Sequence, residues 1–228
     1  VQAVQRFFDP ARLAGPQGQN QGQGVSPAAA QRVGVYGGAF DPPHNAHTAL
    51  AREAVAQLGL DVLHVVPTGM AWHKSRVLSD GAHRLAMARL AFADTPHVVV
   101  DDQELSRPGP SYTIDTLEAL QAQYPQAQLL LVLGEDQARA LPTWQRGEDV
   151  LKLAIICIAA RAVKSPANSV FDAKIATGLT TRLIQLPPMI ESSTEIRARV
   201  AQGLPIDHLV PGAIARYIAK HHLYQTIA

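Results

Sequence analysis

The stretch RVGVYGGAFDPPHNAH, residues 32–47, leaves a chain few ways to fold. It opens as a strand, because Val33, Val35 and Tyr36 are β-formers halted by a double glycine. Lacking Cβ atoms, Gly37 and Gly38 let backbone N–H groups close on a ligand. Asp41-Pro42-Pro43 imposes a rigid turn and postpones helix until the prolines are passed. The helix that follows carries Leu50, Ala54, Val55 and Leu58 on one face. His44 and His47 stand three residues apart at its first turn and so share a side. A strand, a glycine turn and a helix N-terminus in succession make an anion site. Two imidazoles beside it suit the phosphates of a nucleotide, although histidines at a helix start also occur simply as surface caps.

Further along, the chain keeps alternating. Residues 61–67 read as a buried strand, 82–92 as a helix supplied by Leu85, Ala88, Leu90 and Ala91, and 97–101 as a third strand. Ile114, Leu117 and Leu120 mark a helix that Ser111 is placed to cap. Residues 128–134, 153–159 and 182–186 read as strands four to six. Ser192 and Glu195 fit a capping box, so a helix starts there whatever else the segment does. Residues 164–178 show no clear pattern. Alternating strands and helices imply an α/β fold with a doubly wound parallel sheet, Rossmann-like in its wiring. No repeat and no linker interrupts residues 32–228, which are read as one domain.

Composition bears on the alternatives. Net charge is +1, which argues against a broad nucleic-acid or membrane surface. No apolar run approaches the length of a membrane-spanning helix, and the N-terminus lacks the apolar core of a secretory signal. The single cysteine, Cys157, sits in the apolar run Leu153-Ala154-Ile155-Ile156-Cys157-Ile158 and reads as a small buried hydrophobe, in keeping with a reducing, cytoplasmic setting. Residues 1–31 form a Gln/Gly-rich tail that cannot repay its ordering entropy and is expected to be flexible, with Arg6-Phe7-Phe8 as its one candidate docking element.

The pattern Gly-Gly-x-Phe-Asp-Pro-x-His-x-x-His resembles the first signature of the nucleotidyltransferase superfamily with an HxGH motif, and within it the bacterial nicotinate-mononucleotide adenylyltransferases. The resemblance runs from about Arg32 to Tyr224. Ser192-Ser193-Thr194 with Ile196-Arg197 is similar to the superfamily's second signature, whose hydroxyls, amides and arginine hold ATP phosphates. On this resemblance Gly37, Gly38, Ala39, Phe40, His44, His47, Gly134, Asp136, Ser192, Ser193, Thr194 and Arg197 bind ATP. Lys74, in a loop after the second strand, resembles a phosphate-binding lysine beside His73. Ser111-Tyr112-Thr113 resembles the second-substrate segment, Trp144 a stacking residue, and Arg161 an arginine that meets the mononucleotide phosphate. Two positions depart from the pattern. Ala46 stands where the family has glycine and brings a methyl group close to the nucleotide. Glu191 precedes the serines where an apolar residue is usual, and it is expected to turn away from the phosphates it would repel.

The resemblance implies adenylyl transfer from ATP to nicotinate mononucleotide, giving deamido-NAD and pyrophosphate. His44, His47, Lys74 and Arg197 are the expected catalytic residues, acting by positioning and charge stabilisation. Mg²⁺ is expected to ride on phosphates and water rather than in a protein cage. Three rivals stay open: nicotinamide mononucleotide as acceptor, phosphopantetheine as acceptor, and a nucleotide-binding regulatory module without catalysis. The Ser-Tyr-Thr segment, Trp144 and Arg161 together argue against phosphopantetheine.

Overall fold

In the computed structural model, residues 29–70, 77–161 and 181–225 are described. Six parallel strands form one sheet in the order β3-β2-β1-β4-β5-β6. They are β1 (Arg32–Gly38), β2 (Val62–Pro67), β3 (Val98–Val100), β4 (Gln128–Gly134), β5 (Ala154–Arg161) and β6 (Thr181–Leu186). The helices are α1 (Asn45–Leu58), α2 (Gly81–Phe92), the short α3 (Gln103–Ser106), α4 (Thr113–Gln123), α5 (Glu135–Ala140), α6 (Gly147–Leu153), α7 (Ser193–Ala201) and α8 (Gly212–Lys220).

The central strand β4 explains the layering. Leu129, Leu131 and Leu133 face one core, while Leu130 and Val132 face another. A strand buried on both faces reads as an unbroken apolar run, which QLLLVLG is. Ile114, Leu117 and Leu120 of α4 and Val150 of α6 cover the first face. Leu50, Ala51, Ala54 and Leu58 of α1 with Ala88 and Phe92 of α2 cover the second, where Cys157 is fully buried. Burial pushes the Cys157 thiol up to about 11, so it stays protonated at neutral pH. A third cluster joins Met87 of α2 to Ile196 of α7 and to Ile214 and Ile218 of α8.

The ladder between β1 and β4 positions the site. It runs from Arg32↔Gln128 to Val35↔Leu131 and stops there. Yet β1 stays paired with β2 as far as Gly38↔Pro67, and β4 with β5 as far as Gly134↔Ala159. The two central strands therefore part at their carboxyl ends, at the point where the winding direction reverses. Open α/β sheets bind ligands in that crevice.

Several boundaries differ from the sequence reading. Ser111 caps nothing: α4 begins at Thr113, its N-cap is Tyr112, and no side chain caps it. Residues 103–106 and 147–152, to which the sequence reading assigned no element, fall in helices α3 and α6, and Leu153, read as the start of the fifth strand, ends α6. Both helices are only one or two turns long, too short for an apolar period to register. Just before β1, Ala30 is buried in the core and the backbone N–H groups of Gln31 and Arg32 both donate to Asp61. The expected flexible tail falls almost wholly outside the described residues.

Candidate active site

A cavity of about 520 Å³ opens where β1 and β4 part. Gly37 and Gly38 of β1, Gly134 of β4, Ala159 of β5 and Leu186 of β6 contribute to its wall. It is one continuous space, from His44, His47, Ser192 and Ser193 at one end to Tyr112, Thr113 and Trp144 at the other.

The glycine turn has two different reasons for its glycines. A Cβ on Gly38 would meet the Phe40 ring at 3.0 Å, whereas one on Gly37 would meet nothing within 4 Å among the described residues. Gly38 is thus demanded by packing beneath the loop, and Gly37 keeps the cavity clear above it. Phe40 itself, expected as an ATP contact, is not on the cavity wall. It is 1% exposed and sits edge-on to Tyr36, His47 and Phe92, with centroids 5.4, 5.2 and 5.8 Å away. Its φ of 48° turns the chain sharply enough to bury a large apolar ring under the loop.

His44 is the N-cap of α1, and His47 is its third helical residue. The backbone N–H of His44 donates to Nδ1 of His47 at 3.1 Å. That bond makes Nδ1 an acceptor, so a neutral His47 carries its proton on Nε2 and can still donate from there. The two rings stack with centroids 3.7 Å apart. His44 is buried, and its Nδ1 has no hydrogen-bond partner among the described residues. Burial lowers its pKa to about 4. An anion at the edge of this ring pair would favour the charged form that burial disfavours.

Asp41, 1% exposed, fastens this end together. Its carboxylate accepts from Tyr224 Oη at 2.7 Å and from the Ser79 N–H at 3.2 Å. Its carbonyl accepts from Arg197 Nη1 at 2.7 Å, and the next carbonyl, of Pro42, accepts from Ser193 Oγ at 2.9 Å. Burial, and then the Asp41 charge, hold the Tyr224 phenol well above its ordinary range. Arg197, expected to touch phosphate, therefore braces the loop that carries the histidines, and its Nη2 donates to Thr194 Oγ1 at 3.1 Å. Neither Arg197 nor Thr194 is on the cavity wall. The helix-start reading of Ser192 holds: its hydroxyl accepts from the Glu195 N–H at 3.2 Å.

Sequence reasoning missed Arg84. It is 3% exposed and donates to the carbonyls of Ser79, Ala39 and Thr68, at 2.9, 3.1 and 2.6 Å. It ties the glycine turn to the end of β2 and to the start of α2. An arginine inside a helical pattern gives no sign of this; only the need of three loop carbonyls for a donor does.

At the other end, Trp144 and Tyr112 are partly buried against the same core cluster and face the cavity. Asp136 also lines the wall, on an exposed turn of α5. Glu104, likewise unforeseen, lies on this wall at 7% exposure, its Oε1 accepting from Thr116 Oγ1 at 2.9 Å. Burial raises its pKa, against the opposing pull of hydrogen bonds from Thr116 and the Gly69 N–H. Ala46 also lines the cavity. Glu191, expected to turn away, lines the cavity instead. Lys74 and the side chain of Arg161 lie outside the described residues; the backbone of Arg161 closes β5.

A crevice at the switch point, glycine turn, paired histidines and capped serines together define an α/β nucleotidyltransferase, and residues 35–199 match the family model described as cytidylyltransferase-like. A probable nicotinate-nucleotide adenylyltransferase of Albidiferax ferrireducens is 55% identical over 196 residues, covering 86% of this chain and 99% of that protein. Another, of Methylibium petroleiphilum, is 40% identical over 198 residues, covering 85% and 92%. The chain belongs to the nicotinate-nucleotide adenylyltransferase family. Among solved structures, a nicotinic acid mononucleotide adenylyltransferase of Plasmodium falciparum complexed with NaAD aligns with a TM-score of 0.71 at 22% identity, over 85% of this chain and 97% of that one, a likeness of fold.

Proposed function

We propose that the chain transfers the adenylyl group of ATP to nicotinate mononucleotide, releasing pyrophosphate and forming deamido-NAD for NAD biosynthesis. The observation that carries this reading is the single cavity joining a phosphate end to an aromatic end across the switch point. Its volume lies within the usual range for cavities that enclose small ligands. A phosphate oxygen of the mononucleotide attacks the α-phosphorus of ATP. The bond from that phosphorus to the bridging oxygen breaks, and pyrophosphate leaves with the electron pair. The nucleophile is already an anion at neutral pH, so the site needs no general base.

The chain's part is alignment and charge stabilisation. His47 donates from Nε2 to the phosphates, and His44 gains its proton as their charge arrives. The amides of Gly37 and Gly38 and the start of α7 at Ser192 and Ser193 hold the remaining oxygens. Lys74 and Arg161 are the cations that the family pattern supplies, and Arg197 positions the histidine loop through Asp41. Gly134 and Asp136 lie beside the nucleoside. Trp144 stacks on the pyridine ring, and the Ser111–Thr113 turn receives its carboxylate.

Among the described residues, no group of three or more His, Cys, Asp or Glu side chains is arranged to hold a metal ion. A cation that enters on the ATP phosphates fits such a site, and Mg²⁺ commonly binds in that way. Bound there, it offsets charge on the departing pyrophosphate. No helix among the described residues is long and apolar enough to cross a membrane, and we place the reaction in the cytoplasm. The direct test supplies ATP and nicotinate mononucleotide, measures pyrophosphate and identifies the dinucleotide by mass. Pyrophosphate that appears only with nicotinamide mononucleotide moves the acceptor to the amide. No pyrophosphate with either acceptor leaves a binding module.

A further inference from the structure

Glu191 lines the cavity immediately before Ser192 and Ser193. The side chain as a whole is half-buried, but its Oε2 is fully withdrawn from water and has no hydrogen-bond partner among the described residues. An unsatisfied acceptor costs free energy, and a charged one costs more. Of the other carboxylates on the same wall, Glu104 accepts from Thr116, Glu135 pairs with Arg139, and Asp136 stands on an exposed turn in reach of water. Glu191 shares its end of the cavity with the glycine turn, both histidines and the start of α7, all of which suit an anion. A bare carboxylate among them repels the polyphosphate that they attract. One kind of partner removes both difficulties at once, a hard divalent cation lying between the carboxylate and the phosphates. Mg²⁺ sites of this type take one or two carboxylates together with substrate phosphates and water.

We propose that Glu191 supplies a carboxylate oxygen to the divalent cation that ATP brings into the site. The proposal rests on the ATP reading above and extends it, because it gives the protein its own hold on the cation. It also turns the departure at this position from a defect into a metal requirement. The carboxylate then opposes metal-free ATP and favours the metal complex, so the site discriminates between the two forms of its substrate.

The test uses the full chain without acceptor, so that no turnover occurs. Wild type and Glu191→Gln, which keeps the shape and removes the charge, are titrated with ATP in chelator and with ATP plus Mn²⁺. Binding is followed by calorimetry, and the Mn²⁺ environment by electron paramagnetic resonance. Equal melting temperatures establish that both chains are folded; if Gln unfolds the chain, Glu191→Ala, which also removes the charge, takes its place. The expected result is a crossing. Affinity for the Mn²⁺–ATP complex falls by about tenfold or more, as when a metal loses a protein contact, while affinity for metal-free ATP rises. The Mn²⁺ spectrum of the complex changes with it. Equal weakening of both forms overturns the proposal, because the oxygen then accepts from the nucleoside. Equal tightening, or no change, overturns it too, because Glu191 is then only a repulsive neighbour. If wild type binds neither form, it is the ATP reading itself that fails.

Discussion

At the phosphate end of the cavity, segments far apart in the chain meet on one buried residue, whereas the acceptor end is built largely from neighbours in sequence. Asp41 collects Ser79, Arg197 and Tyr224, which are 38, 156 and 183 residues away. At the acceptor end, the Glu104–Thr116 bond spans 12 residues, and Tyr112 and Trp144 lean on one core cluster. The difference teaches where precision is needed. Adenylyl transfer requires charge to be met at fixed points, and rigid long-range bracing provides that. Holding a flat ring needs a slot and a stacking face, which a local segment can supply. Damage at the phosphate end should therefore appear in turnover, and damage at the acceptor end in affinity and selectivity.

The largest effect should come from the histidines. His44→Ala and His47→Ala, made separately, are each expected to lower kcat by at least about a hundredfold, the scale of losing one preorganised donor to a transition state. The ratio of specificity constants for nicotinate and nicotinamide mononucleotide should hardly move. Steady-state rates with both acceptors check this. A loss confined to KM, or a shifted ratio, would break the division between the two ends. His47→Ala should also lower the melting temperature, because the His44 N–H loses its acceptor.

Next comes selectivity at the acceptor end. The start of α4 at Thr113 has no side-chain cap, so backbone N–H groups of its first turn and the helix dipole remain to receive a carboxylate. Nicotinate should be preferred over nicotinamide mononucleotide by at least about thirtyfold in kcat/KM, given roughly 1.5–3 kcal/mol for each charge-assisted bond. Glu104 makes the test sharper. An ionised carboxylate on that wall opposes a second one, so Glu104→Gln should raise the preference for nicotinate. Trp144→Ala should weaken both acceptors and keep the ratio, since stacking is indifferent to the substituent. A ratio near one in wild type would remove anion recognition from this end.

The buried histidine also sets a pH dependence. With a folded pKa of about 4 and an unfolded value of 6.5, His44 stays neutral in the folded chain while the unfolded chain takes up a proton. Its contribution is therefore intact above about pH 6.5 and is lost progressively as pH falls toward 4, costing about 2 kcal/mol of stability at pH 5. Denaturant unfolding between pH 7 and 5 should show this slope in wild type and not in His44→Gln. Saturating ATP should raise the His44 pKa, because phosphate favours the charged ring. An ATP-insensitive titration would place the phosphates away from it.

Much of this was legible in the sequence, for physical reasons. Strands buried on both faces read as apolar runs, so β4 and β5 were plain, and so was the parallel sheet. The Gly-Gly turn, the prolines and the two histidines were legible because their chemistry is local. Bracing was not. Asp41 looked like a turn residue, while nothing in the sequence singled out Arg84 or Tyr224, and each acquires its role only through contacts made across the fold. Phe40 and Glu191 were misplaced for a related cause. Sequence spacing fixes which element a side chain stands on, while φ and packing decide whether it faces the core or the cavity.

Those invisible braces predict a smaller effect at a distance. Tyr224→Phe removes a bond to a buried carboxylate and should cost about 1.5 kcal/mol, a fall of about 5 °C in a chain of this size. If the hub positions the histidines, kcat should drop severalfold as well, with the acceptor ratio unchanged. A variant that is destabilised yet turns over normally would show that Asp41 holds the fold together and not the chemistry.

The smallest change concerns Ala46, on the cavity wall. It stands one residue before His47 and two after His44, so any displacement of ATP from that wall shifts the phosphates relative to both. In the other direction, alanine favours helix over glycine by about 1 kcal/mol at an interior position, and less in this first turn, where His47 already holds the cap. Ala46→Gly should therefore cost little stability. One methyl contact amounts to about 0.8 kcal/mol, close to a fourfold change in KM for ATP. A lower KM with kcat unchanged would mean that the methyl crowds the nucleotide without disturbing the histidines. A rise in kcat would mean that the wall had held ATP off its line of attack, and the rigid end of the cavity would then be less well aligned than its bracing suggests.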